Sequence, residues 1–96
     1  MKAVLIVHNS AIDSEVTGML SGMGVERYTK FTNTLGKGGS SSPHLNTPVW
    51  PGVNTATMVV VEPAKASEIM QKVRQMRQKL GSEGVKAFMW QIEDVT

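Results

Sequence analysis

The chain of 96 residues contains no cysteine. This excludes a disulfide framework, a thiolate metal site and a cysteine nucleophile, and it suits a reducing compartment. Long hydrophobic runs are missing as well. The longest, Ala3 to Val7, falls far short of the roughly 20 residues of a membrane-spanning helix. Lys2 is followed by only five apolar residues, so no cleavable signal pattern is legible and a cytoplasmic location is expected. Aromatic residues make up 5% of the chain, and the net charge of +2 is too small to mark a nucleic-acid binder. What is present is an apolar fraction of 41% with 19% charged residues, the composition of a folded chain. A single domain over residues 1–96 is expected, with a core so modest that assembly into an oligomer would help it.

Ala3-Val4-Leu5-Ile6-Val7 is a continuous aliphatic run, the pattern of a central strand. His8-Asn9-Ser10 breaks it. Ser10 with Asp13 three residues later is a start resembling a capping box, and Ile12, Val16, Met19, Leu20 and Met23 then recur on one helix face. Gly18 and Gly22 each weaken that helix by about 1 kcal/mol relative to alanine, and their spacing predicts a face pressed closely on the sheet. Gly24 is the expected stop. Val25 to Leu35, rich in threonine and aromatics, predicts an exposed or edge strand, and Thr55 to Val61 a second central one. Pro63 sits where a helix opens without needing a backbone donor. Ala66, Ile69, Met70, Val73, Met76 or Arg77, and Leu80 line that helix, and Gly81 ends it. Val85 to Ile92 is the last strand, with Val85, Ala87 and Met89 on one face and Phe88, Trp90 and Ile92 on the other. The order β-α-β-β-α-β, with the first and third strands the most apolar, predicts an α+β ferredoxin-like sandwich with those two strands in the middle. Two helices cover one sheet face, so the apolar residues on both faces of the last strand predict a second cover, most simply a neighbouring subunit.

One segment exceeds what such a sandwich needs. Residues 36–54 hold 4 of the 9 glycines and 3 of the 4 prolines, with no acidic residue. A connection longer than about 12–15 residues is usually functional or disordered. Gly36-Lys37-Gly38-Gly39 sets flexible backbone N–H groups and one cation at a strand end, a combination that suits an anion. It is neither a Walker A loop nor a dinucleotide-binding glycine motif. Trp50, between Val49 and Pro51, has the character of a packing anchor or contact residue.

This order with its long loop resembles the PII signalling proteins, and the short PII-like relatives more than the nitrogen regulators. The resemblance is carried by Met1-Lys2-Ala3-Val4, Gly36-Lys37-Gly38, Met58-Val59-Val60-Val61-Glu62-Pro63 and Gly84-Val85-Lys86-Ala87-Phe88. It implies a homotrimer that binds adenine nucleotides (AMP, ADP or ATP) in clefts between subunits. Gly36, Lys37 and Gly38 at the loop base and Gly84 and Lys86 in the turn before the last strand are the matching ligand positions. The long loop corresponds to the family's T-loop, which docks on target proteins, with His44, Trp50 and Asn54 as its contact residues here. The segment Trp50-Pro51-Gly52-Val53-Asn54 is similar to that of PII-like proteins that partner membrane transporters, metal-efflux systems among them. The chain also departs from the family pattern. Gly38 stands where PII proteins carry a glutamine, against a metal-assisted grip on 2-oxoglutarate. No tyrosine lies in 36–54, against uridylylation. The turn Gly81-Ser82-Glu83-Gly84 is short and no arginines follow it, so a triphosphate is expected to be held poorly.

Other constellations weigh less. The only histidines are His8 and His44. His8 is expected to be a hydrogen-bonded structural residue. His44 lacks the three or four ligands of a metal site within its own chain, so a metal-responsive sensor resembling CutA, or associated with efflux, would need His44 residues shared across a trimer. Met19, Met23, Met70 and Met76 are expected to fill the core. The second helix carries Lys65, Lys72, Arg74, Arg77 and Lys79 against Glu68 alone, which permits an RNA footprint. RNA binding on this fold needs aromatics on the central strands, and the third strand offers Met58-Val59-Val60-Val61 instead. No nucleophile, paired carboxylates or phosphate-binding arginine points to an enzyme. The reading that results is a regulatory binding module.

Overall fold

The computed structural model describes residues 1–35, 53–80 and 84–96. The order is β1 (Lys2–Asn9), a 3-10 turn (Ser10–Ile12), α1 (Asp13–Gly22), β2 (Thr29–Thr34), β3 (Asn54–Val61), α2 (Pro63–Leu80) and β4 (Val85–Gln91). The four strands form one sheet of order β2-β3-β1-β4, every neighbouring pair antiparallel. The ferredoxin-like prediction holds, with the two most apolar strands, β1 and β3, in the centre.

Register explains which residues form the core. Val4 faces Val59 and Met89, Ile6 faces Thr57 and Ala87, and His8 faces Thr55 and Val85. These residues share one sheet face. Val16 and Leu20 of α1 and Ala66, Ile69 and Val73 of α2 bury against it, joined by Val25. Met19, Met23, Met70 and Met76 pack around this cluster, as their positions on the helix faces predict.

The helices correct two expectations and meet a third. Ser10 is no cap. Asn9, extended at φ −60° and ψ 136°, accepts the Ala11 N–H through Oδ1 at 2.8 Å, while the Ser10 hydroxyl bonds Thr55 Oγ1 at 3.0 Å. Asn9 is the last residue of the strand, so its side chain reaches the first free N–H groups of the turn before Ser10 can. Gly18 and Gly22 are not pressed on the sheet. Both are exposed, and a Cβ at either would meet nothing within 4 Å. Their spacing falls on the side of α1 opposite Val16 and Leu20. Gly24 does end α1, in the left-handed region at φ 78°, and its N–H reaches the Ser21 carbonyl at 3.0 Å. Lys65 of α2 donates to the Met23 carbonyl at 2.9 Å, supplying a partner at this helix end.

β2 is shorter than expected, because Val25 is drawn into the core instead of into the sheet. It is an edge strand, and a bulge separates its pairs Phe31–Ala56 and Thr34–Asn54. Asn33 takes up the extra residue at φ 58°. At the other end of the sheet, α2 sends Arg77 to the Val85 carbonyl at 2.6 Å. Gly81, expected to end α2, lies outside the described residues.

Two stability predictions follow from this packing. Ile69→Ala removes a fully buried side chain between α2 and the sheet, and is expected to cost about 2–5 kcal/mol in urea denaturation. Gly18→Ala fills open space on an exposed helix surface and is expected to stabilise by about 0.5–1 kcal/mol in the same measurement.

Candidate functional site

Two features of the described residues bear on function, the strand ends around His8 and the sheet face that carries no helix. At the first, β1 gathers the chain. The Asn9 N–H donates to the Gly84 carbonyl at 3.0 Å, and the Ser10 N–H to the Val53 carbonyl at 3.2 Å. Thr34 Oγ1 donates to the Asn54 carbonyl at 2.8 Å. The residues flanking 36–52 and 81–83 are therefore fastened to the same end of the same strand.

Below them lies a buried polar cluster. His8 is 1% exposed. Its Nδ1 is 3.1 Å from the Asn9 carbonyl and its Nε2 is 3.4 Å from Thr57 Oγ1 and 3.5 Å from Asp13 Oδ1. Lys30 Nζ donates to Asp13 Oδ2 at 2.7 Å and to Thr17 Oγ1 at 2.9 Å. Lys30 is opposite Thr57 in the sheet, which turns it toward α1. Burial, which disfavours the charged ring, holds His8 below its ordinary pKa of 6.5; the Asn9 carbonyl and Asp13 pull it up, and Lys30 pushes it further down. The expectation of a hydrogen-bonded structural histidine holds for His8. The rest of the cluster, Asp13, Thr17, Lys30 and Thr57, was not legible as a group. These residues lie on α1, β2 and β3, and no spacing along the chain links the three elements.

The second feature is the open sheet face. Across it run the rows Trp90–Ala3–Val60, Phe88–Leu5–Met58–Thr29 and Lys86–Val7–Ala56–Phe31. Phe31, Phe88 and Trp90 are 48%, 47% and 43% exposed. Lys86 Nζ lies 5.8 Å from the centre of the Phe88 ring, a cation–π contact. The central strands carry no aromatic side chain on this face, against base stacking in the manner of RNA-binding domains of this fold. On α2, Lys65, Arg74 and Arg77 are engaged with Met23 and Glu68, with Gln71 and with Val85 respectively, while Lys72 and Lys79 stand exposed.

Of the residues singled out from the sequence, three are described. Gly84 lies in the turn before β4, Lys86 projects from β4 onto the open face, and Asn54 is the first residue of β3 rather than part of a loop. Gly36, Lys37, Gly38, His44 and Trp50 lie outside the described residues. Among the described residues no group of three or more His, Cys, Asp or Glu side chains could hold a metal ion, and no helix is long and apolar enough to cross a membrane.

A four-stranded antiparallel sheet with both helices on one face defines the class of ferredoxin-like α+β domains. Within that class the chain belongs to the nitrogen regulatory protein P-II family, whose model matches residues 1–96. It is a PII-like signalling protein by family. No curated protein matches it. Among solved structures it is similar to a PII-like signalling protein from Thermus thermophilus, with 21% identity over 93% of this chain and 83% of that one and a TM-score of 0.66. It is also similar to CPII, a nitrogen regulatory PII-like protein from Thiomonas intermedia, in its structure bound to ADP, AMP and bicarbonate. There the identity is 18% over 95% of this chain and 84% of that one, with a TM-score of 0.75. The structure of CPII bound to ADP and bicarbonate gives 20% identity, 97% and 88% coverage and a TM-score of 0.67. At these identities the likeness is one of fold.

The His8 cluster has a consequence for stability. The folded pKa lies below the unfolded value, so between the two the unfolded chain binds more protons. The contribution of neutral His8 is fully present above about pH 6.5 and is lost as pH falls toward the folded value. The urea midpoint is expected to fall from pH 7 to pH 5.5, and to fall less steeply in His8→Gln. Equal slopes in the two proteins would contradict this.

Proposed function

We propose that the protein is a cytoplasmic regulatory binding module, a homotrimer that senses a small ligand between its subunits and docks on a partner through the segment 36–54. The observation that carries this reading is the open sheet face. A PII-family domain with Phe31, Phe88 and Trp90 each more than 40% exposed beside Leu5, Val7, Met58 and Val60 holds a patch whose burial would be strongly favourable. Burying one such aromatic side chain is worth roughly 1.5–3 kcal/mol. A subunit contact across this face would also complete a core that the two helices close on one side only.

The ligand proposed is an adenine nucleotide, AMP or ADP before ATP. Support comes from the ADP and AMP bound by CPII and from the resemblance of the Gly36-Lys37-Gly38 and Gly84-Val85-Lys86 positions to the family's nucleotide grip. Lys37 and Lys86 would supply charge to the phosphates, and the glycines backbone N–H groups. The Asn9–Gly84 and Ser10–Val53 hydrogen bonds would keep the two halves of such a site in step. The target of the segment 36–54 is proposed to be a membrane transporter, on the likeness of its Trp50-Pro51-Gly52 stretch, with His44, Trp50 and Asn54 as contact residues. The role is binding, not catalysis.

Light scattering after gel filtration is expected to give the mass of a trimer for the parent and a smaller species for Trp90→Asp. Calorimetry with AMP, ADP, ATP and bicarbonate is expected to show ADP or AMP binding that weakens at least tenfold in Lys86→Ala. A monomeric parent that binds none of the four would overturn the reading.

A further inference from the structure

The polar cluster at the end of β1 lacks one proton. The Asn9 carbonyl can only accept, so in the neutral ring Nδ1 carries the hydrogen, and Nε2 is left as an acceptor for the Thr57 hydroxyl. Nε2 also faces Asp13 Oδ1 at 3.5 Å, where both atoms present lone pairs. Asp13 Oδ1 is buried and is the one buried side-chain oxygen or nitrogen without a hydrogen-bond partner among the described residues. Such an orphan is unusual in a folded protein and calls for a physical account. Asp13 Oδ2 is already held by Lys30.

We propose that His8 and Asp13 form a proton-operated contact, in which proton uptake at Nε2 turns the ring into a donor to Asp13 Oδ1 and draws the start of α1 against the sheet. The added proton gives Asp13 Oδ1 the donor it lacks, while Nδ1–H keeps the Asn9 carbonyl it already serves in the neutral ring. The charges around the ring are few. Asp13 of α1 is the one facing carboxylate, and Lys30 of β2 faces it through Asp13. β3 presents the uncharged Thr55 and Thr57, and β4 presents Val85. From α2, Arg77 reaches the carbonyl of Val85, the strand partner of His8.

The contact sits where it can be felt. Asn9, the next residue, holds Gly84 and caps the 3-10 turn, and Ser10 holds Val53. Movement of α1 toward His8 must pass through Asn9 to Ile12, so both hydrogen bonds respond. Where Gly84 takes part in ligand binding, which rests on the function proposed above, ligand affinity becomes dependent on pH.

Titration of the ligand-free full chain by NMR from pH 8 to pH 5 tests the contact without any nucleotide. His44→Ala leaves His8 as the single histidine and makes its ring signals unambiguous. The ring is expected to titrate with a midpoint below 6.5, and the Asn9, Ser10 and Gly84 amides to shift with the same midpoint. Asp13→Asn is expected to lower that midpoint by roughly 1 pH unit and to abolish the shift at Gly84. A ring that stays neutral to pH 5, or a Gly84 amide that titrates alike in parent and Asp13→Asn, overturns the proposal. Calorimetry with ADP at pH 7.5 and pH 5.5 adds a second arm: the terminal phosphate of ADP gains a proton over this range in either case, so the affinity is expected to change more in the parent than in Asp13→Asn. Absence of ADP binding at both values counts against the nucleotide reading, and the amide titration still decides the contact.

Discussion

The pairing of β1 with β3 on one side and β4 on the other is the constraint from which the rest of the structure follows. With both edges occupied, every backbone polar group of β1 can be satisfied inside the sheet, and its side chains can be apolar on both faces. Val4 and Ile6 then anchor the helices, while Ala3, Leu5 and Val7 floor the opposite face. The same antiparallel pairings bring Asn54 and Val85 to one end of the strand. The flanks of both segments proposed to hold ligand are thereby fastened within a few residues of His8.

The sheet is covered unevenly. Toward the helices the core is apolar except at one end, where His8 with Thr57, Asp13 and Lys30, and Thr55 with Ser10, close the sandwich as apolar packing runs out. Toward the open side, the aromatics Phe31, Phe88 and Trp90 sit on the edge strands, with small and aliphatic residues between them on β1 and β3. A central strip of small and aliphatic side chains flanked by large apolar rings is what supports the subunit contact proposed above. With no aromatic side chain from β1 or β3, this face lacks the platform on which bases stack in RNA-binding domains of this fold.

Much of this was legible in order and composition. The runs Ala3 to Val7 and Met58 to Val61 could only be central strands, Pro63 opened α2 where a missing donor does no harm, and the alternation of Val85 to Trp90 assigned its faces correctly. The errors came where two local readings compete. Ser10 was as good a cap as Asn9 by residue type, and only the position of Thr55 beside its hydroxyl decided between them. The spacing of Gly18 and Gly22 fits a close helix contact and an exposed ridge equally well, since glycine itself has no apolar signature. Val25 could extend β2 or drop into the core, and the space beside Leu20 decided the second.

By itself the sequence determined the element order, the central strands and the apolar character of both sheet faces, because these depend on periodicity along the chain. Only the tertiary structure decided what stands across from what. That His8 meets Asp13 and Thr57, that Lys30 turns inward to the same carboxylate, and that Asn9 and Ser10 hold Gly84 and Val53 are facts of strand register between residues far apart in sequence. Such contacts leave no periodic trace, since each polar residue is a single exception on its own element and acquires a partner only when the sheet closes.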